Sequence, residues 1–168
     1  MRTSLVSAVL LTFLFVVLLS PSGWAAPMSA PDLAGTMEAH KIILNKENHE
    51  IAVSADKVFP RDKIEYTLRY RNVGGAAASG VSLVGPIPAG TVYLDKTASS
   101  AASMHPLYSI DGGKSYHRAP FTYVYLDAAG TEQRRVATPD MYTHIKWNVD
   151  GALGAGKDVL VSYRVQVK

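Results

Sequence analysis

The run Asp62-Lys63-Ile64-Glu65-Tyr66-Thr67-Leu68-Arg69-Tyr70-Arg71-Asn72-Val73-Gly74 decides the fold of this chain. Ile64, Tyr66, Leu68 and Tyr70 alternate with Lys63, Glu65, Thr67, Arg69 and Arg71. A period of two is the mark of a strand with one buried and one wet face. The strand closes on Asn72-Val73-Gly74-Gly75, where Asn and Gly tolerate positive φ and let the chain turn. Its apolar face needs a second layer to cover it, so the run predicts a packed antiparallel β domain. It names no reaction.

Working outward, the same grammar repeats. Upstream, Ile42-Ile43-Leu44 and Ile51-Ala52-Val53 are short strands around the polar turn Asn45-Lys46-Glu47-Asn48, and Phe59-Pro60-Arg61-Asp62 is the turn into the long strand. Downstream, Val81–Val84 is a strand stopped by Gly85-Pro86-Ile87-Pro88, since proline cannot donate to a ladder. Thr91–Leu94 is the next short strand, and Thr97–Ser103 reads as a small polar loop. Tyr108–Tyr116 reads as a hairpin around Asp111-Gly112-Gly113, residues that supply the positive φ of tight turns. Phe121–Leu126 can pair with Arg134–Val136; Ile145, Trp147 and Val149 alternate with Lys146 and Asn148; and Val159, Val161, Tyr163, Val165 and Val167 share one face of the last strand. Many short strands between Gly/Pro turns, with Trp147 as a core residue, predict an all-β fold, an immunoglobulin-like antiparallel β-sandwich.

The N-terminus carries an address. Arg2 precedes the uncharged apolar run Leu5–Leu19, Ser20-Pro21-Ser22-Gly23 breaks it, and Gly23 and Ala25 are small residues spaced for a signal-peptidase site. This is the pattern of a cleaved secretory signal peptide; a spanning helix needs roughly 20 apolar residues. The expected organisation is a signal peptide at 1–25, an Ala/Pro-rich flexible leader at 26–38, and a β-sandwich at 39–168 with an insertion at about 95–140. The expected location is outside the cytoplasm: periplasm, cell surface or extracellular medium.

Composition removes several function classes. The chain of 168 residues has no cysteine, which excludes disulfides, thiolate metal sites and a cysteine nucleophile. A formal charge of +3 with lysines and arginines scattered among acids gives no basic stripe for nucleic acid.

The order of elements resembles the conserved repeat domain of bacterial and archaeal surface proteins, number eleven in the domains-of-unknown-function series. The matching residues are Pro60 and Asp62, Tyr66 and Tyr70, Asn72 and Gly74, Val81, Pro88 and Gly90, Trp147, Leu153 and Gly156, and Val159 to Val167. The likeness spans Lys57 to Lys168. Arg61 stands where that pattern has a glycine, Gly85 where it has an aspartate, and Ala155 where it has a second proline. The resemblance implies an immunoglobulin-like sandwich in the envelope or on the cell surface and implies no catalytic residue.

Chemistry-bearing patterns are sparse. Ser109-x-Asp111-x-Gly113-x-x-Tyr116 resembles an Asp-box hairpin, whose aspartate organises the turn by local bonds. His40, His49, His105, His117 and His144 lack the i, i+4 spacing of zinc peptidases, and no Gly-x-Ser-x-Gly elbow occurs. No catalytic, metal or cofactor residue is assigned. The candidate ligand contacts are Tyr116, Phe121, Tyr123 and Tyr125: alternation puts the last three on one face, which either fills the core or presents aromatic area to a sugar or protein. The expected function is a non-enzymatic structural or interaction domain with a protein or envelope polysaccharide as partner. The alternatives are a carbohydrate-binding module and a secreted hydrolase. Ile42–Leu44 could also reach a neighbouring copy by strand addition, or pair within its own domain.

Overall fold

The computed structural model describes residues 30–100 and 104–168; the segments expected to be a signal peptide, 1–25, and the start of a leader, 26–29, lie outside the described residues. The described chain is all-β. Its strands are β1 (Leu33–Leu44), β2 (Glu50–Ser54), β3 (Lys63–Asn72), β4 (Ala78–Ser79), β5 (Ser82–Pro86), β6 (Thr91–Tyr93), β7 (Ser99–Ser100), β8 (Leu107–Ser109), β9 (Thr122–Leu126), β10 (Glu132–Val136), β11 (His144–Asn148), β12 (Ala152–Leu153) and β13 (Asp158–Val167), with one 3-10 turn at Pro139–Met141. The pairings are antiparallel. One layer is a six-stranded sheet in the order β2-β1-β3-β13-β6, with β7 also on β13; the other is β5-β11-β8. This is a sandwich-like architecture.

The alternation in β3 sets the interface between the layers. Register places Ile64 opposite Val165, Tyr66 opposite Tyr163 and Leu68 opposite Val161. Directly opposed residues share a face, so one continuous apolar face is built from strands about 100 residues apart in sequence. From the second layer Leu83, Ile145 and Trp147 meet it, each fully buried. Burying one such side chain stabilises by about 1.5–3 kcal/mol. On the wet face, Arg164 donates from Nε to Glu65 Oε2 at 2.7 Å and from Nη1 to Glu50 Oε2 at 2.6 Å.

Tyr163 joins the layers. Its ring stacks on Tyr66 at 5.4 Å and lies 6.1 Å from Trp147, and its hydroxyl donates to the Pro86 carbonyl. A Cβ at Gly85 would come within 2.6 Å of that ring. Glycine here admits Tyr163. Arg61, in the turn before β3, takes φ 73°. The turn keeps the left-handed backbone for which glycine is normally chosen, at a cost of about 1–2 kcal/mol for a side-chain-bearing residue. Asp62 holds the same turn by accepting from the Phe59 N–H at 2.8 Å and Lys41 Nζ at 3.1 Å; the Phe59 bond is the first cause that keeps its carboxyl below the ordinary range.

Two expectations are corrected. The leader does not extend to residue 38: β1 starts at Leu33 and pairs with β3 from Leu33 to Ile42. Its small residues survive in a strand because the neighbour supplies the packing; the Tyr70 ring lies 3.3 Å from where a Cβ of Gly35 would stand. Ile42–Leu44, the end of this same strand, pairs with β2 within its own domain, as one of the two sequence readings expected. The polar loop at Thr97–Ser103 contains β7, which pairs with Val161 and Ser162.

The 95–140 insertion is partly woven into the sandwich. β7 joins the first layer and β8 joins the second. The rest, a β9–β10 hairpin, forms a sheet of its own.

Candidate functional site

The insertion and the β6 end of the sandwich enclose a cleft of about 640 Å³. It is built on an aromatic cluster. Tyr93, at the end of β6, and Tyr108, in β8, share a hydroxyl–hydroxyl hydrogen bond of 3.1 Å. Tyr142, just after the 3-10 turn, stacks on Tyr108 at 4.5 Å and on Phe121 at 6.0 Å. Burial pushes the Tyr108 and Tyr142 phenols above their ordinary range, and the Asp95 charge adds to the shift of both.

The charged side chains of Asp95, Lys96 and Arg118, together with His105, line the cleft above this base. Their loops are held firmly. Lys96 sits at φ 61° in a turn closed by Thr97, whose hydroxyl donates to Leu94 O at 2.6 Å and accepts from the Arg164 N–H at 3.0 Å. That ties Asp95 and Lys96 to β13. Arg118 follows His117, which exchanges both backbone hydrogen bonds with Tyr108 at 2.8 and 2.9 Å. Pro106, Pro120 and Pro139 stiffen and line the walls. Lys96 and Arg118 form no ion pair with any described residue. Among the described residues, Asp95 is the one carboxylate in the lining.

The four sequence candidates do not converge. Tyr116 lies under Lys146, whose Nζ is 4.3 Å from its ring centroid. Phe121 is sandwiched between His117, 5.0 Å away, and Tyr142. Tyr123 and Tyr125 share a face of β9, tilted 40° to one another, and Arg135 covers Tyr125 at 4.6 Å. All four are half-buried. The opposite face of the hairpin exposes Val124, Leu126 and Val136, at 51, 66 and 56%.

The Asp111 turn is a local device. Its carboxylate accepts from Ser109 Oγ at 2.6 Å, from the Lys114 and Ser115 N–H groups at 3.0 Å each, and from Ser115 Oγ at 2.6 Å. The Ser109 bond is the first cause holding it far below the carboxylate range. The histidines stand on separate elements, and no group of three or more His, Asp or Glu suited to a metal ion is gathered among the described residues.

Sequence reasoning named His105 and Tyr108 but did not join them to Asp95, Lys96, Arg118 and Tyr142. The joining is tertiary, since these residues come from separate loops. The one signal in the chain is the recurrence of proline beside them, at 106, 120 and 139. No protein-family model, curated protein or solved structure matches this chain.

Proposed function

We propose that this chain is an exported, non-enzymatic interaction domain of the cell envelope or surface, an immunoglobulin-like sandwich that contacts its partner through the insertion. One observation carries the reading. The sandwich core is built by β3, β5, β11 and β13, while the insertion places a stiff-walled cleft and the exposed Val124, Leu126 and Val136 at one flank. Function of this kind sits on loops held by a rigid scaffold. The apolar Leu5–Leu19 run and the Gly23/Ala25 exit support export. The resemblance to the surface-protein repeat domain supports the compartment.

A second reading, carbohydrate binding, is favoured by the cleft itself, where tyrosine and proline walls combine with a few polar groups as small-ligand sites do. Fractionation of the native cells tests export. The mature protein is expected outside the cytoplasm with Ala26 as its first residue by N-terminal sequencing. Intact Met1 recovered from cytosol would overturn the reading.

A further inference from the structure

We propose that the cleft binds a carboxylate-bearing sugar, a uronate unit of an acidic polysaccharide, with Arg118 and Lys96 holding the carboxylate. The inference rests on the reading of the insertion as the contact surface and names the ligand it selects.

The sign of the site comes first. Lys96 and Arg118 line one cleft and are unpaired among the described residues, with His105 as a third nitrogen donor. An arginine fork matches a carboxylate in two parallel bonds, and lysine adds a point charge. Size comes next. At about 640 Å³ the cleft lies inside the range of organic-ligand sites, about 300–1,000 Å³. An inorganic anion would leave most of it empty.

The rest of the lining separates the organic anions. Asp95 repels a ligand charged at every position, but it accepts hydrogen bonds from hydroxyl groups. The Tyr142 hydroxyl, and the capacity that Tyr108 keeps beside its bond to Tyr93, can donate or accept. Proline and tyrosine walls suit the C–H face of a sugar ring. A ligand with one carboxylate, several hydroxyls and an apolar ring face satisfies all of these groups. An acidic peptide satisfies fewer, because its carboxylates come without the ring face and the row of hydroxyls that the walls and Asp95 would meet. Most of these walls are loops; of the lining residues, Tyr108 and Val136 lie in strands.

The test is an amide NMR titration of residues 26–168 with trigalacturonate and with a glucuronate-containing hyaluronan tetrasaccharide. Neutral galactotriose, triglutamate and inorganic phosphate serve as comparisons. At least one uronate oligomer should shift the amides of residues 95–97, 105, 107, 118 and 119. K96A and R118A should each weaken that binding about tenfold or more, the loss expected for one charge-assisted contact. Both side chains are exposed, so the variants should keep the wild-type spectrum elsewhere.

The neutral trisaccharide should bind at least as weakly as the variants do. Silence with both uronates, binding unmoved by K96A and R118A, or tighter binding of triglutamate, galactotriose or phosphate would each overturn the inference. Retention of envelope material through the insertion, measured separately, would then show that the ligand class had failed and the interaction reading had not.

Discussion

Trp147→Ala is expected to destabilise the domain by about 3–5 kcal/mol, the range for truncating a buried aromatic to alanine. Trp147 is fully buried in β11, between β5 and β8, and touches the first layer through Tyr163. Its indole N–H has no acceptor among the described residues, so the loss is one of packing and not of a hydrogen bond. Against a total stability of about 5–15 kcal/mol, the melting temperature should fall by about 10 °C or more. Trp147→Phe keeps much of the ring and removes an unsatisfied donor, so it should cost far less. Equal melting curves for wild type and Trp147→Ala would mean that the layers do not meet at this residue.

Asn72→Asp is expected to be nearly as damaging, and its damage should depend on pH. Asn72 is fully buried and uses its whole hydrogen-bonding capacity. Its Oδ1 accepts from the Asp32 and Gly74 N–H groups at 3.2 and 3.1 Å. Its Nδ2 donates to Ala76 O at 2.7 Å and Leu153 O at 2.8 Å. A carboxylate turns both donors into acceptors facing carbonyls. Two buried groups left unsatisfied cost about 2–6 kcal/mol at neutral pH.

Burial and the facing carbonyls raise the folded-state pKa of the introduced carboxyl above its unfolded value, about 3.9. The part of the penalty due to ionisation is therefore absent below that value and grows as pH rises toward the folded pKa, while one of the two carbonyls stays unsatisfied throughout. Denaturant unfolding should give a smaller gap between wild type and N72D at pH 4 than at pH 7. A gap that is small and flat across that range would refute the clamp.

These two residues also show what a single chain reveals of its fold. The alternation of β3 and the last strand, and a Trp147 core, are local patterns and were legible. Asn72 was legible as a turn residue. Its role as a clamp was not, because its partners stand at positions 32, 76 and 153. The need for glycine at Gly85 was not legible, because Tyr163, far along the chain, occupies the space beside it. The start of β1 was hidden by composition: Leu33-Ala34-Gly35-Thr36 has weak strand preference, and its pairing is supplied by β3. The cleft was least legible of all. Its charged residues have no sequence spacing in common, and only the fold of the insertion brings them to one place.

The central claim is that the insertion, and not the faces of the sandwich, meets the partner. Capture from the native envelope extract on immobilised residues 26–168 tests it most directly, with R118A/V124T/L126T altering the insertion and R71A/L160T altering the outer face of β3 and β13. Circular dichroism melting confirms that each variant is folded. The account predicts that wild type and R71A/L160T retain the same envelope component and that R118A/V124T/L126T loses it. Equal retention by all three folded proteins, or loss with R71A/L160T alone, would contradict it.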